Sequence, residues 1–152
     1  MTTTYNIYRN DEKIATGLTE KSYTDTNLKP NTEYTYRVSA ENSAGESELS
    51  DPITVKTDFS TPIAVEVSPK TNNLEIGGTR NLKAIVSPET AKQTVKWSSS
   101  NNDIATVDNN GKVTAVGAGV AEITATSTEK TDVTGTATVN VSEPSPEEPE
   151  GE

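Results

Sequence analysis

The sequence has no cysteine and no histidine. The first absence excludes disulfides, thiolate zinc sites and cysteine nucleophiles; the second excludes a Ser-His-Asp relay and any imidazole acid or base. A small β-rich chain without disulfides points weakly to a bacterial or phage source. Aromatics make up 5% of the 152 residues, Met, Phe and Trp occur once each, and hydrophobic residues reach only 30%. Thin sandwich cores are within reach of such a composition, whereas a deep substrate cavity is not expected. No apolar run approaches the roughly 18 residues of a membrane-spanning helix, and MTTTYNIYRN lacks the basic and apolar regions of an export signal. The expectation is therefore no membrane partner and, if the chain is complete, a protein made in a host cytoplasm that stays there or leaves by a route needing no signal. The formal net charge is −10, with no basic stripe to offset it, so a nucleic-acid partner is not expected.

What the chain has is polar alternation. Tyr5, Ile7 and Arg9 fall on one face of a first strand, with Asn6 and Tyr8 on the other. A turn at Asn10-Asp11-Glu12 leads into a second strand at 13–18, anchored by Ile14, and 22–26 reads as a third short strand carrying Tyr23. TDFSTP, residues 57–62, interrupts the alternation and predicts a linker at 58–61 between domains at 1–57 and 62–142. Residues 143–152 hold Pro and Glu but no apolar residue, so they are expected to form an acidic disordered tail. The fold class is all-β: two small antiparallel sandwich modules in tandem, the first incomplete.

Two stretches carry a family resemblance. Leu28, Pro30, Thr32 and Tyr34 reproduce the L-x-P-x-T-x-Y corner of fibronectin type III domains, and Tyr36, Val38 and Ala40 continue along the following strand. The likeness covers strands C, C′, E, F and G but not A and B. It implies a structural role for those four corner residues, the Tyr34 hydroxyl bonding back to upstream backbone. It also implies a sheet whose inner face, with Tyr5, Ile7, Tyr36 and Val38, is left uncovered. An uncovered apolar face and open edges favour association, so the expected partners are a virion structural protein docked there or a second copy held through residues 1–57. The second stretch contains Val65-x-Val67-Ser-Pro69, Val95-x-Trp97-Ser98-Ser99-Ser100-Asn101, Ile104-Ala105-Thr106-Val107 and Gly111-Lys112-Val113-Thr114-Ala115. It resembles the bacterial Ig-like group 2 module with all its strands, and Trp97 is expected to pin its core.

Chemistry-bearing clusters are sparse. Asp103 and Asp108 are the nearest pair of carboxylates but sit among Asn and Gly, where carboxylates cap turns. The runs Asn101-Asn102-Asp103 and Asp108-Asn109-Asn110-Gly111 are oxygen-rich but lack the spacing of a calcium loop, and a type I′ or related turn explains Asn110-Gly111. No catalytic residue, metal or cofactor is expected. Ligand contacts, if made, fall to Tyr8, Asn42, Glu46, Asn101, Asn102, Asp103, Asp108 and Asn109. Both resemblances imply display modules of tailed phages, on head or tail, touching bacterial surface polysaccharide weakly and in many copies. A spacer within a larger cell-surface or secreted bacterial protein is the alternative.

Overall fold

In the computed structural model residues 2–145 are described, so the acidic disordered tail expected at 143–152 lies outside them beyond Ser145. The chain divides into two compact units, with the boundary between Phe59 and Ser60. Among the described residues all regular structure is β-strand.

The first unit is one antiparallel sheet. Its strands are β1 (Thr4–Arg9), β2 (Glu12–Leu18), β3 (Glu33–Asn42), β4 (Gly45–Glu46) and β5 (Ile53–Lys56), in the order β2-β1-β3-β4 with β5 also on β3. The β1–β2 turn is a two-residue one in which Asn10 and Asp11 both take positive φ, 51° and 65°. That backbone twist matches the strands it joins, and Asn and Asp tolerate it well. Strand β2 carries an extra residue opposite Asn6, since Tyr5 pairs with Leu18 and Ile7 with Ala15. Gly17 takes the left-handed conformation there, as a bulge requires. The Asn6 side chain fills the gap, its Oδ1 accepting from Gly17 N–H at 3.2 Å and from Thr16 Oγ1 at 2.7 Å.

Residues 22–26 correct the expected third strand: they form no strand. Alternation alone makes no strand without a neighbouring edge, and among the described residues no backbone group of 19–28 bonds to another backbone group. The inner face is also less bare than expected. Residues 20–28 lie along it, leaving Tyr5, Ile7 and Tyr36 half-buried and Val38 exposed.

Asp58 O accepts from Asn31 N–H in the first unit, while Ser60 N–H donates to Thr90 O and Ser60 Oγ bonds Thr90 Oγ1 in the second.

The second unit contains β6 (Ala64–Ser68), β7 (Thr71–Glu75), β8 (Thr79–Asn81), β9 (Lys83–Ser87), β10 (Val95–Ser99), β11 (Ala105–Val107), β12 (Lys112–Ala115), β13 (Gly119–Ser127) and β14 (Thr134–Ser142). They form sheets β10-β13-β14-β7, β11-β12-β8 and β6-β9, with β7 parallel to β14. The core follows from alternation: Ala121, Ile123 and Ala125 of β13 and Ala137, Val139 and Val141 of β14 point inward, against Val65, Val67, Val86 and Val113. Size alternates across the pairing as well, Ala121 facing Val139, Ile123 facing Ala137 and Ala125 facing Gly135. Burial of each Val or Ile stabilises by about 1.5–3 kcal/mol. Trp97 is partly buried and packs on this core.

Candidate functional site

The most connected polar group of the first unit is Glu46, on the two-residue strand β4. Pairing Asn42 with Gly45 brings Glu46 beside β3, where its carboxylate faces side chains of β1 and β2 on the sheet surface opposite the apolar face. Oε1 accepts from Asn6 Nδ2 at 2.8 Å and Tyr8 Oη at 2.7 Å, Ser39 Oγ donates to the same oxygen, and Lys13 Nζ reaches Oε2 at 2.9 Å. Asn6, fully buried, also donates to Glu41. These donors, Ser39 first and then Tyr8, Lys13 and Asn6, hold the Glu46 carboxyl down at about 2. Lys13 is raised in return by Tyr8 and Glu46.

Tyr8 is therefore not a free stacking platform. Its hydroxyl is committed to Glu46, and the Lys13 ammonium sits 5.3 Å from its ring centroid. Sequence reasoning named Tyr8 and Glu46 separately and missed Asn6, Ser39 and Lys13. The available signal was the alternation itself, which puts Asn6 and Tyr8 on one face.

A second ionic cluster lies on the apolar face. Arg9 Nη1 contacts both Asp25 oxygens at 3.0 and 3.2 Å, and Tyr36 Oη donates to Asp25 Oδ2 at 2.7 Å. Asp25 is held below its ordinary value, first by Tyr36 and then by Arg9. The Tyr36 hydroxyl is pushed up to about 12 by burial and then by Asp25. Beside this cluster run two open, adjoining grooves of about 370 and 530 Å³, both lined by Ile7, Lys21, Tyr23 and Val38.

The other named side chains are largely turn caps. Asn42 Oδ1 accepts from Ala44 N–H, Asn101 Oδ1 from Asp103 N–H, and Asp108 Oδ1 from the N–H groups of Asn110 and Lys112. Asn102 and Asn109 are exposed. The two loops of the second unit stand at opposite ends of β11, so the fold does not gather them into one site. Asn110 is not among the residues with positive φ, whereas Gly111 has φ 81°, so this turn is of the related kind rather than type I′. Two neighbours add to the positive φ in requiring the glycine: a Cβ on Gly111 would lie 2.8 Å from the Leu82 carbonyl oxygen and 2.9 Å from the Trp97 indole. Among the described residues no three acidic side chains come together as a cation site, and no helix is long and apolar enough to cross a membrane.

The family model of the bacterial Ig-like domain (group 2) matches residues 63–141, from the residue before β6 to the penultimate residue of β14. The chain belongs to the bacterial Ig-like group 2 family. The fibronectin type III model matches residues 1–56, so the tandem all-β architecture is that of two recognised, generally non-catalytic accessory modules. One relative of this group 2 chain is a 3-O-alpha-D-galactosyl-alpha-L-arabinofuranosidase of Bifidobacterium longum subsp. longum, 42% identical over 80 residues, which are 52% of the chain and 7% of that enzyme. Another is a minor capsid protein of Enterobacteria phage T3, 48% identical over 65 residues, 43% of the chain and 15% of that protein. The chain thus spans a small fraction of these relatives. Among solved structures, Drosophila N-cadherin EC1-4 aligns over 94% of the chain and 41% of its own length with TM-score 0.54 and 17% identity, a likeness of fold alone.

Proposed function

We propose that the chain is a non-enzymatic display protein of a phage particle, a head or tail decoration giving weak, multivalent contact with bacterial surface glycans. The observation carrying this reading is the 48% identity over 65 residues to a phage minor capsid protein. Contacts come from exposed loop residues such as Asn102 and Asn109, carried on a rigid sandwich, and many copies on one particle convert individually weak binding into avidity. The test is mass spectrometry, with copy number, of gradient-purified and salt-stripped particles from the source strain. Many copies per particle support the reading; absence from particles overturns it.

A second reading is supported by the 42% identity over 80 residues to a large glycosidase. Here the modules are non-catalytic spacers of a longer surface or secreted protein. Detection only within a larger envelope-associated polypeptide would select it.

A further inference from the structure

Two features of the first unit are each incomplete, and each has the chemistry the other lacks. One is the segment 22–26, which has no bend and whose backbone, among the described residues, bonds to no other backbone group. It borders a groove with Tyr5, Ile7, Tyr23 and Val38 in its walls. Five residues at about 3.3 Å each give an edge of common strand length. The other is β5, which pairs only with β3 and so has a free outer edge. All four of its residues are exposed, including Ile53 at 66% and Val55 at 48%. Opposite Tyr36 and Tyr34 in register, these two side chains extend the same apolar face beyond the groove. A bare apolar edge strand of this kind is a pairing template.

We propose that the chain forms a two-fold dimer in which β5 of each copy lies along residues 22–26 of the other, with Ile53 and Val55 covering the partner's groove. A strand suits the site because the segment offers backbone donors and acceptors that a helix, satisfied internally, would not use. The alternation of β5 suits it because Ile53 and Val55 leave Thr54 and Lys56 for the solvated side. The 22–26 segment, with Tyr23 as its one apolar residue, is a poorer partner for itself than β5 is. One contact used twice closes the assembly without propagating into a fibre. The dimer supplies a second layer over a sheet that has only one, and it holds whether or not the chain contacts glycans.

Sedimentation of the full chain across a concentration series, with amide exchange on the same samples, tests this. The expected result is a monomer–dimer equilibrium in which the amides of 22–26 gain protection as dimer accumulates. Ile53→Asp, at a position exposed in the monomer, is expected to weaken association at least about ten-fold, and Tyr23→Ser, on the opposite side of the contact, to weaken it too. Ile53→Val is expected to retain it. A monomer at every concentration overturns the proposal. So does a dimer whose 22–26 amides exchange freely, or one indifferent to both Ile53→Asp and Tyr23→Ser.

Discussion

The phenol oxygen of Tyr34 accepts a hydrogen bond from the Lys29 backbone N–H at 2.9 Å. The ring is buried at the base of β3, and the bond ties the chain's return from residues 19–28 to the start of that strand. Tyr34→Phe keeps the ring and leaves the N–H without its partner, so the first unit is expected to lose about 1 kcal/mol. All five tyrosines lie in the first unit and the single tryptophan in the second. Tyrosine and Trp97 signals therefore follow the two unfolding transitions separately, and only the tyrosine transition is expected to move.

Glu46 makes the first unit acid-sensitive. Its carboxyl is depressed from 4.5 to about 2 by its donors, so the stabilisation is complete above the ordinary value and is lost as pH falls through about 2. Denaturant unfolding followed by tyrosine signal at stepped pH is expected to show stability declining between about pH 4.5 and 2. In Glu46→Gln, which cannot titrate, that decline is expected to flatten, with lower stability at neutral pH.

Much of this architecture is legible in the residues because it is local. The alternation of Tyr5 to Arg9, the Asn10-Asp11 turn and the Leu28 to Tyr34 corner each rest on a few consecutive positions. The Glu46 cluster is not legible in the same way, because its partners Asn6 and Tyr8 are 40 and 38 positions away and meet it only through the β1–β3 register. Residues 22–26 show the converse: their pattern reads as a strand, but a strand needs a second edge that the sequence pattern does not supply. Among the loop residues, composition pointed to Asn101 and Asp108 as contacts, and geometry gives their side chains to the backbone instead.

That reassignment has a measurable consequence at Asp108. Its Oδ1 receives two backbone N–H groups, so Asp108→Ala leaves the β11–β12 turn without its cap. The expected outcome is a loss of about 1 kcal/mol in the Trp97-monitored transition. Asn109→Ala, at a neighbouring exposed position without that task, is expected to leave stability within about 0.5 kcal/mol of wild type. A glycan contact at this turn would show the opposite order in a binding measurement, Asn109→Ala weakening adhesion while the fold is unchanged.

Among the glycines of the second unit, Gly135 has the least room for a side chain. It faces Ala125 across the β13–β14 ladder, and a Cβ built on it would stand 2.2 Å from the carbonyl oxygen of Val65 and 2.8 Å from the carbonyl carbon. Those are backbone atoms of β6, which is tied to β9 along its length by the register from Ala64–Ser87 to Ser68–Lys83. A flexible side chain could rotate away from a new methyl group, but a paired strand moves only as a unit. Gly135→Ala must therefore push β6 away from β14 and loosen Val65 and Val67, both buried between them. The expected cost is at least about 1–3 kcal/mol, the usual range for overpacking a core. It should appear in the Trp97 transition while the tyrosine transition stays in place. An unchanged Trp97 transition would mean that β6 does not pack on β14 this closely.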